Sequence, residues 1–280
     1  MSVRIIKVKI YQPEAHYRIP FSYQRRLTYP IPPYSTVKGL ICNLLGINND
    51  DEFKEFKKGL SLAIYGRYES LVKEYIWFRN LSYESHIEKF GSVRNRSING
   101  IIQHPGGQIP VKIDVLHNVE LIVYILHTDS GWFERIKDAF NGNTKRLSSI
   151  HLGRTEDWIV IKEVREIKPV IGKIRFIKNY FTWIPAPEYV YYELSEDGEK
   201  SFKEGYEKFF KNLNANIFKI GVYYEKIEGE RIFNEYVIAK LYEGQSFRPF
   251  EFYLDKDEDF PLFFYKLPGG AENGKDLGKE

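Results

Sequence analysis

A long alternation of apolar and polar residues between Val111 and Ile125 constrains the fold more than any other feature of this 280-residue chain. The odd positions are apolar except for His117, while Lys112 and Asp114 are among the polar even positions. A period of two is typical of a β-strand with one buried face. At about 3.3 Å per residue the strand would reach ~50 Å, so we expect one end to project beyond its sheet.

The other periodicities predict a mixed fold. Alternation over Ile6–Ile10 predicts a first strand, and apolar spacing predicts helices over about residues 35–46 and Gly131–Phe140. Extended segments are expected at 60–81, before the long strand, and at 158–164, after the second helix. The order is therefore strand, helix, strand, strand, helix, strand, which is the split βαβ pattern of ferredoxin-like and RRM-like domains.

A change of composition near Pro169 predicts a second domain. Residues 170–265 hold 25 of the 45 Phe, Tyr and Trp residues, in alternating runs typical of an antiparallel sheet, and we interpret these aromatics as core. We therefore expect a first domain at 1–169 and a β-rich domain at 170–268. The Gly- and charge-rich residues 269–280 are expected to be disordered.

Between the two extended runs, a glycine-containing segment predicts a protruding β-hairpin, the thumb, at about residues 84–110. The expected fold class is thus α+β. It combines a ferredoxin-like or RRM-like N-terminal domain, which carries the thumb, with a β-rich C-terminal domain. The loop at Gln12–Pro33 is long for a compact domain, and its aromatic and arginine content favours a functional role.

Basic residues concentrate in two acid-poor segments of the first half. Residues 1–49 hold seven Lys and Arg against one acidic residue, Glu14, and no Asp or Glu occurs between Lys89 and Ile113. This distribution favours a polyanionic partner that touches one face. A solvated basic surface without a partner stays open as the alternative for each segment taken alone.

The stretch from Arg25 to Leu40 joins a basic, proline-stiffened approach to the start of a helix. Ser35 or Thr36 is placed to cap that helix, and Gly46 is placed to end it. Unpaired N–H groups at a helix start suit an anion such as phosphate. The alternative is an ordinary capped helix whose tyrosines pack into the core.

The run YPIPPYSTVKGLICNLLG at 29–46 resembles the N-terminal signature of the Cas-five family, the CRISPR-associated RNA-binding subunit of type I Cascade complexes. The segment HLGRTE at 151–156 resembles the Leu-Gly-Arg turn of the same family, and the two motifs together frame roughly the first 170 residues. The resemblance implies a subunit that clamps the 5′ handle of a CRISPR guide RNA and caps the Cascade backbone. The implied partners are the guide RNA, the repeating backbone subunit and the large subunit.

Three segments are then candidate RNA-binding sites. At the helix entry, phosphates would lie over the N–H groups near 35–37, and a tyrosine would stack on a base. The glycine and arginine of the second motif are expected to hold phosphate, with pairing of Arg154 to Glu156 or Asp157 as the alternative. The resemblance implies that the thumb kinks the RNA. The candidate residues are Arg25, Arg26, Tyr29, Tyr34, Ser35, Thr36 and Lys38 at the helix entry, Gly153 and Arg154 in the turn, and His86, Lys89, Arg94, Arg96 and His104 in the thumb.

The sequence carries none of the nucleotide-loop, metalloprotease or nucleophile-elbow motifs, and its six histidines form no metal-ligand spacing with carboxylates or the single cysteine. This absence favours a binding protein or a metal-free reaction, and we expect no metal and no cofactor. The resemblance implies a non-catalytic role, because most type I systems use a separate processing nuclease. A metal-free endoribonuclease that processes precursor CRISPR RNA, and an RRM-like RNA-binding module unrelated to CRISPR, stay open as alternatives. The single cysteine and the lack of a signal peptide or an 18-residue apolar run predict a cytoplasmic protein without a membrane partner.

Overall fold

A computed structural model describes residues 3–20, 22, 25–79, 87–88, 91, 97–98, 101–102, 108–177, 179–192, 199–227 and 230–266. The helices are α1 (Tyr34–Leu45), α2 (Asp50–Lys58), α3 (Ser130–Phe140) and α4 (Glu199–Asn212), with a 3₁₀ turn at Pro187–Tyr189. The strands are β1 (Ile5–Ala15), β2 (Tyr17–Arg18), β3 (Arg25–Arg26), β4 (Thr28–Tyr29), β5 (Leu60–Arg67), β6 (Ser70–Arg79), β7 (Ser97–Ile98), β8 (Ile101–Ile102), β9 (Gln108–His127), β10 (Val160–Ile167), β11 (Val170–Ile174), β12 (Phe181–Pro185), β13 (Ile217–Ile227), β14 (Glu230–Tyr242), β15 (Phe250–Asp255), β16 (Phe260–Pro261) and β17 (Tyr265–Lys266).

The long strand predicted from alternation is β9, which runs for 20 residues through the centre of the main sheet. Its C-terminal half lies between β1 and β5, and its N-terminal half pairs with β6 and with the short parallel strand β3. The pairing of β6 with β9 extends to Arg79 opposite Gln108, and β7 pairs with β8 beyond it. The strand is long because one half pairs with β1 and β5 while the other half pairs with β6 and β3.

The predicted α+β class is confirmed. The elements β1, α1, β5, β9, α3 and β10 follow one another in the predicted order, and the main sheet has the order β10-β1-β9-β5-β12-β14-β13. The description as a ferredoxin-like domain is a proposal that this strand order supports. Strands from both sides of residue 169 share one sheet, while the division into two domains there stays a prediction.

Two apolar cores cover the two faces of the sheet. On one face, α1 and α3 pack through residues such as Val37, Ile41 and Ile136 onto Ile6 and other strand residues. On the other face, α4 and the sheet β11-β15-β16 enclose an aromatic core. Its central rings include Tyr206, Phe209, Phe252 and Phe263. The interpretation of the C-terminal aromatics as core is confirmed at these positions.

Two local expectations are wrong. The segment Gln12–Pro33 is not a continuous loop, because it contains the end of β1 and the strands β2, β3 and β4. Helix α1 has Pro33 as its N-cap residue, and no described side chain caps it, because the helix begins before the predicted Ser35 or Thr36. Gly46 ends α1 in the left-handed conformation, with φ of 74°, as predicted.

Within the described part of the chain, no helix is both long enough and apolar enough to cross a membrane. The predicted disordered tail at 269–280 lies outside the described residues.

Candidate nucleic-acid interface

The start of helix α1, predicted as a phosphate site, is largely covered by protein. Pro33 and Tyr34 are buried, and the Trp183 Nε1–H donates a hydrogen bond of 3.0 Å to the carbonyl oxygen of Pro32. The N–H groups of Thr36 and Val37 both point to the carbonyl oxygen of Pro33, at 3.0 and 3.4 Å. These two N–H groups are therefore occupied within the helix, which corrects the expectation that they bind phosphate. The side chains of Ser35 and Thr36 are half-buried.

Lys38 is a core residue rather than a cation at the helix mouth. Its Nζ donates a hydrogen bond of 2.8 Å to the carbonyl oxygen of Val222 and lies 5.1 Å and 5.0 Å from the ring centroids of Phe53 and Tyr223. Burial lowers the pKa of Lys38 to about 8, and the charge of Lys57 contributes to the shift. The predicted contact of Lys38 with RNA phosphate is wrong for this conformation, because its ammonium faces protein.

Tyr29 and Tyr34 are also core residues. Tyr29 packs its ring edge-on against Trp183 and Phe218, with centroid distances of 5.5 and 5.9 Å. Tyr34 stacks on Tyr265 at 4.5 Å and is fully buried. Buried rings offer no face to a base, so the stacking interpretation has no support at these two positions.

Arg25 and Arg26 form strand β3, and successive residues of a strand point to opposite faces. Arg25 opposes Lys112 on β9, and Lys112 opposes Tyr75 on β6. The Arg25 side chain is 54% exposed, Tyr75 is 59% exposed and Lys112 is exposed. Directly paired residues share a face, so these three side chains, here called the exposed row, present two cations and an aromatic ring side by side.

Arg26 lies on the other side, near His16 and the second motif. The charges of Arg154 and Arg26 both add to the lowering of the His16 pKa that burial causes. The charge of Arg18 likewise adds to the lowering of the Arg26 pKa by burial. His16 Nδ1 lies 2.8 Å from the carbonyl oxygen of Asp114, and Nε2 has no hydrogen-bond partner among the described residues. We call Arg18, Arg26, Arg154 and His16 the arginine cluster.

The turn of the second motif is fixed by Asp157. Gly153 has φ of 116°, and a Cβ atom there would lie 2.7 Å from Asp157 Oδ2 and 2.9 Å from the carbonyl oxygen of His16. Asp157 Oδ2 accepts hydrogen bonds from the N–H groups of Arg154 and His16, at 2.8 and 2.9 Å. The turn therefore needs glycine, and it packs directly on the residue that follows β1.

The ion-pair alternative for Arg154 is also observed. Its Nη2 lies 2.7 Å from Oδ1 of the buried Asp157, and its Nε lies 3.4 Å from Glu156. The guanidinium is thus held by protein carboxylates and is only partly exposed. The charges of Arg154 and Arg26 both act on His16, and Arg25 lies on the face of β3 opposite to Arg26.

The predicted thumb contacts His86, Lys89, Arg94, Arg96 and His104 lie outside the described residues, so they stay predictions. Four further residues of these surfaces were not predicted to bind RNA, namely Tyr75, Lys112, His16 and Arg18. Only the pairing of β3 and β6 with β9 brings the first two beside Arg25. No local pattern in the sequence reveals such a pairing.

A family model described as "CRISPR-associated protein (Cas_Cas5)" matches residues 5–102. One solved chain with a similar fold, named "CRISPR RNA-guided surveillance complex", is 11% identical with a TM-score of 0.50, over 88% of this chain and 91% of that one. Another, named "Crystal structure of a CRISPR protein from Archaeoglobus fulgidus", is 11% identical with a TM-score of 0.42, over 94% and 99% of the two chains. No curated protein matches the sequence. At this identity, the first likeness establishes a shared fold alone.

Proposed function

We propose that this chain, a member of the CRISPR-associated Cas-five family, binds the 5′ handle of a CRISPR guide RNA as a non-catalytic subunit of a type I Cascade complex. The family supports the coarser statement of a CRISPR-associated RNA-binding subunit. The handle, the type I assignment, and contacts with the repeating backbone subunit and the large subunit are the finer parts of the proposal. All of these finer parts rest on the sequence motifs.

The observation that carries the proposal is the exposed row. Arg25 and Lys112 present their charges at the surface beside the ring of Tyr75, on three adjacent strands. Cations that follow the backbone, combined with rings on which bases stack, are the usual means of binding single-stranded RNA. The proposed path of the RNA therefore crosses β3, β9 and β6 instead of the covered start of α1.

The arginine cluster supports the same proposal from the other side of β3. The charges of Arg26 and Arg154 both act on the buried His16, where the Gly153 turn meets the end of β1, and the charge of Arg18 acts on Arg26. Arg154 is held by Asp157, so its proposed role is to add positive potential at the edge of the site. Arg26 extends the basic surface around the edge of β3.

Binding of a labelled handle RNA to the purified protein, measured by fluorescence anisotropy at fixed salt, tests the proposal. We expect the handle to bind more tightly than a scrambled RNA of the same length, and Arg25→Ala to weaken binding. Arg165→Ala is the matched control, since Arg165 is 46% exposed on β10, close to the 54% of Arg25. Equal affinity for both RNAs, or equal effects of both variants, would contradict the proposal.

The two alternatives have their own outcomes. Cleavage of repeat RNA in EDTA would favour the metal-free endoribonuclease. A gene neighbourhood without a CRISPR array or other Cascade subunits would favour an RNA-binding module unrelated to CRISPR.

A further inference from the structure

We propose that Glu14, Glu74 and His117 form a binding site for one divalent transition-metal cation. The three residues come from β1, β6 and β9, and one possible ligand atom from each lies within 4.8 Å of the other two. They are far apart in sequence, which is why the spacing of histidines and carboxylates gave no sign of them. The inference does not depend on RNA binding.

Strand pairing places two of the ligands side by side. Glu14 and His117 are directly opposite each other in the β1–β9 pair. The Nδ1 atom of His117 lies 3.9 Å from Oε1 of Glu14, which is too long for a hydrogen bond. Metal–ligand distances of about 2.0–2.2 Å place two ligands of one ion roughly 3–4 Å apart, so this separation fits a shared ion.

The ring of His117 offers Nδ1 as its ligand atom. Nδ1 is the nitrogen that lies 3.9 Å from Glu14 Oε1. An imidazole binds a metal through one nitrogen and carries the ring proton on the other. An ion held between Glu14 and His117 would therefore be bound by Nδ1, with the proton on Nε2.

Arg154 is shared with carboxylates outside this group. The charge of Glu74 acts on Arg154, but that guanidinium lies 2.7 Å from Asp157 and 3.4 Å from Glu156. Carboxylates held close together repel one another unless a proton or a cation lies between them. An ion between Glu14 and Glu74 would relieve that repulsion.

An open cleft lies beside one of the three ligands. Pro13, Glu14, Glu156 and Trp158 line this cleft of about 230 Å³, so Glu14 can be reached from solvent. A second carboxylate, that of Glu156, also lines the cleft. An accessible, acidic approach is what a cation site needs, since the ion must enter without unfolding the strands.

The ligand set indicates the class of metal. Two carboxylates and one imidazole suit Mn²⁺, Fe²⁺ or Zn²⁺, whereas sites for Ca²⁺ and Mg²⁺ use oxygen ligands. Three protein ligands leave coordination positions for water. An ion here would link β1, β6 and β9 and would reduce the negative charge beside Arg154.

Isothermal titration calorimetry of the untagged protein with Zn²⁺ alone, in the absence of RNA, tests the site by its affinity and stoichiometry. We expect one ion per chain, and at least about a tenfold loss of affinity in Glu14→Gln and in His117→Gln. Glu134→Gln is the matched control, because Glu134 on α3 is 51% exposed and Glu14 is 50% exposed. No binding at about 1 mM Zn²⁺, or equal affinity in all the variants, would overturn the proposal.

Paramagnetic broadening of NMR resonances by Mn²⁺ is a second test. It is measured on the wild-type protein, so a folding defect in a variant cannot affect it. In the wild-type protein, substoichiometric Mn²⁺ is expected to broaden the ring-proton resonances of His117 before those of distant histidines such as His127. Equal broadening of the two rings would overturn the site. Thermal unfolding of each variant without metal checks that it is folded.

Discussion

The Nζ atom of Lys7 lies 2.6 Å from Oδ2 of Asp255, and the two side chains are 0% and 2% exposed. This buried ion pair joins the first strand of the chain to β15. Tyr124 donates a hydrogen bond of 2.8 Å to the same carboxylate, and Glu258 lies 2.7 Å from the ammonium. The early strands are therefore tied to the C-terminal part by polar contacts as well as by the shared sheet.

Lys7→Met is expected to lower the free energy of unfolding by about 3–5 kcal/mol, because Asp255 would be left buried without its cation. Urea unfolding of the wild type and the variant measures the change. Arg165→Met is the control, since Arg165 and its partner Asp257 are 46% and 54% exposed, and exposed pairs contribute less than about 1 kcal/mol. A similar loss in both variants would contradict the importance of the buried pair.

Lys38 predicts a specific dependence of stability on pH. Its pKa is lowered by burial from 10.5 to about 8 in the folded protein. Below pH 8 both states hold the proton, and between pH 8 and 10.5 the unfolded state binds more protons, so stability rises with pH in that window. The gain from this residue is at most about 3 kcal/mol.

Lys38→Met removes the titrating group and is expected to remove this rise. The quantity to compare is the difference between the wild-type and variant unfolding free energies at pH 7.5 and pH 10.5, since other groups titrate equally in both proteins. Lys73→Met, at an exposed position of β6, is expected to leave the rise intact. Parallel curves for the wild type and Lys38→Met would show that the Lys38 ammonium is not desolvated.

Gly153→Ala tests the close approach of the second motif to His16. Alanine would be strained by the positive φ and would clash with Asp157 and the His16 carbonyl group, so we expect a loss of about 2–4 kcal/mol. Gly142→Ala also has a positive φ, of 84°, but a Cβ there meets nothing within 4 Å, so it should lose only about 1 kcal/mol. Thermal denaturation separates the two cases, and equal losses would argue against the packed turn.

Tyr75→Ala is expected to weaken handle binding by about 1–3 kcal/mol without changing its salt dependence, because stacking carries no charge. Phe176→Ala is the control, since Phe176 is 57% exposed and Tyr75 is 59% exposed. Anisotropy titrations at two salt concentrations give both quantities. A loss that grows with salt, or an equal loss in the control, would remove Tyr75 from the RNA path.

The sequence predicted the elements whose burial repeats with a regular period. The alternation at 111–125 and the apolar faces of α1 and α3 were found because each pattern is local. The start of α1 was placed within one residue, and its end at Gly46 was predicted from the need for a left-handed residue.

The site was predicted only in part, because distant segments determine it. Lys38 is buried by Val222, which is 184 residues away, and Tyr34 is covered by Tyr265. Arg25 and Arg26 themselves form the short strand β3 that pairs with β9, and neighbouring residues of a strand point to opposite faces. A strand of only two residues is too short to leave a periodic pattern in the sequence. Arg26 and Arg154 both lie near His16 because the Gly153 turn packs on the residue that follows β1, and no local pattern in the sequence shows that packing.

The salt dependence of handle binding tests the central claim most directly. If Arg25 and Lys112 both contact phosphate, the double variant Arg25→Ala/Lys112→Ala should lower the slope of log K against log salt concentration by about 1.4. The double variant Lys162→Ala/Arg165→Ala, on the exposed side of β10, should leave the slope unchanged. The same slope in the wild type and in Arg25→Ala/Lys112→Ala would contradict an RNA path across the exposed row.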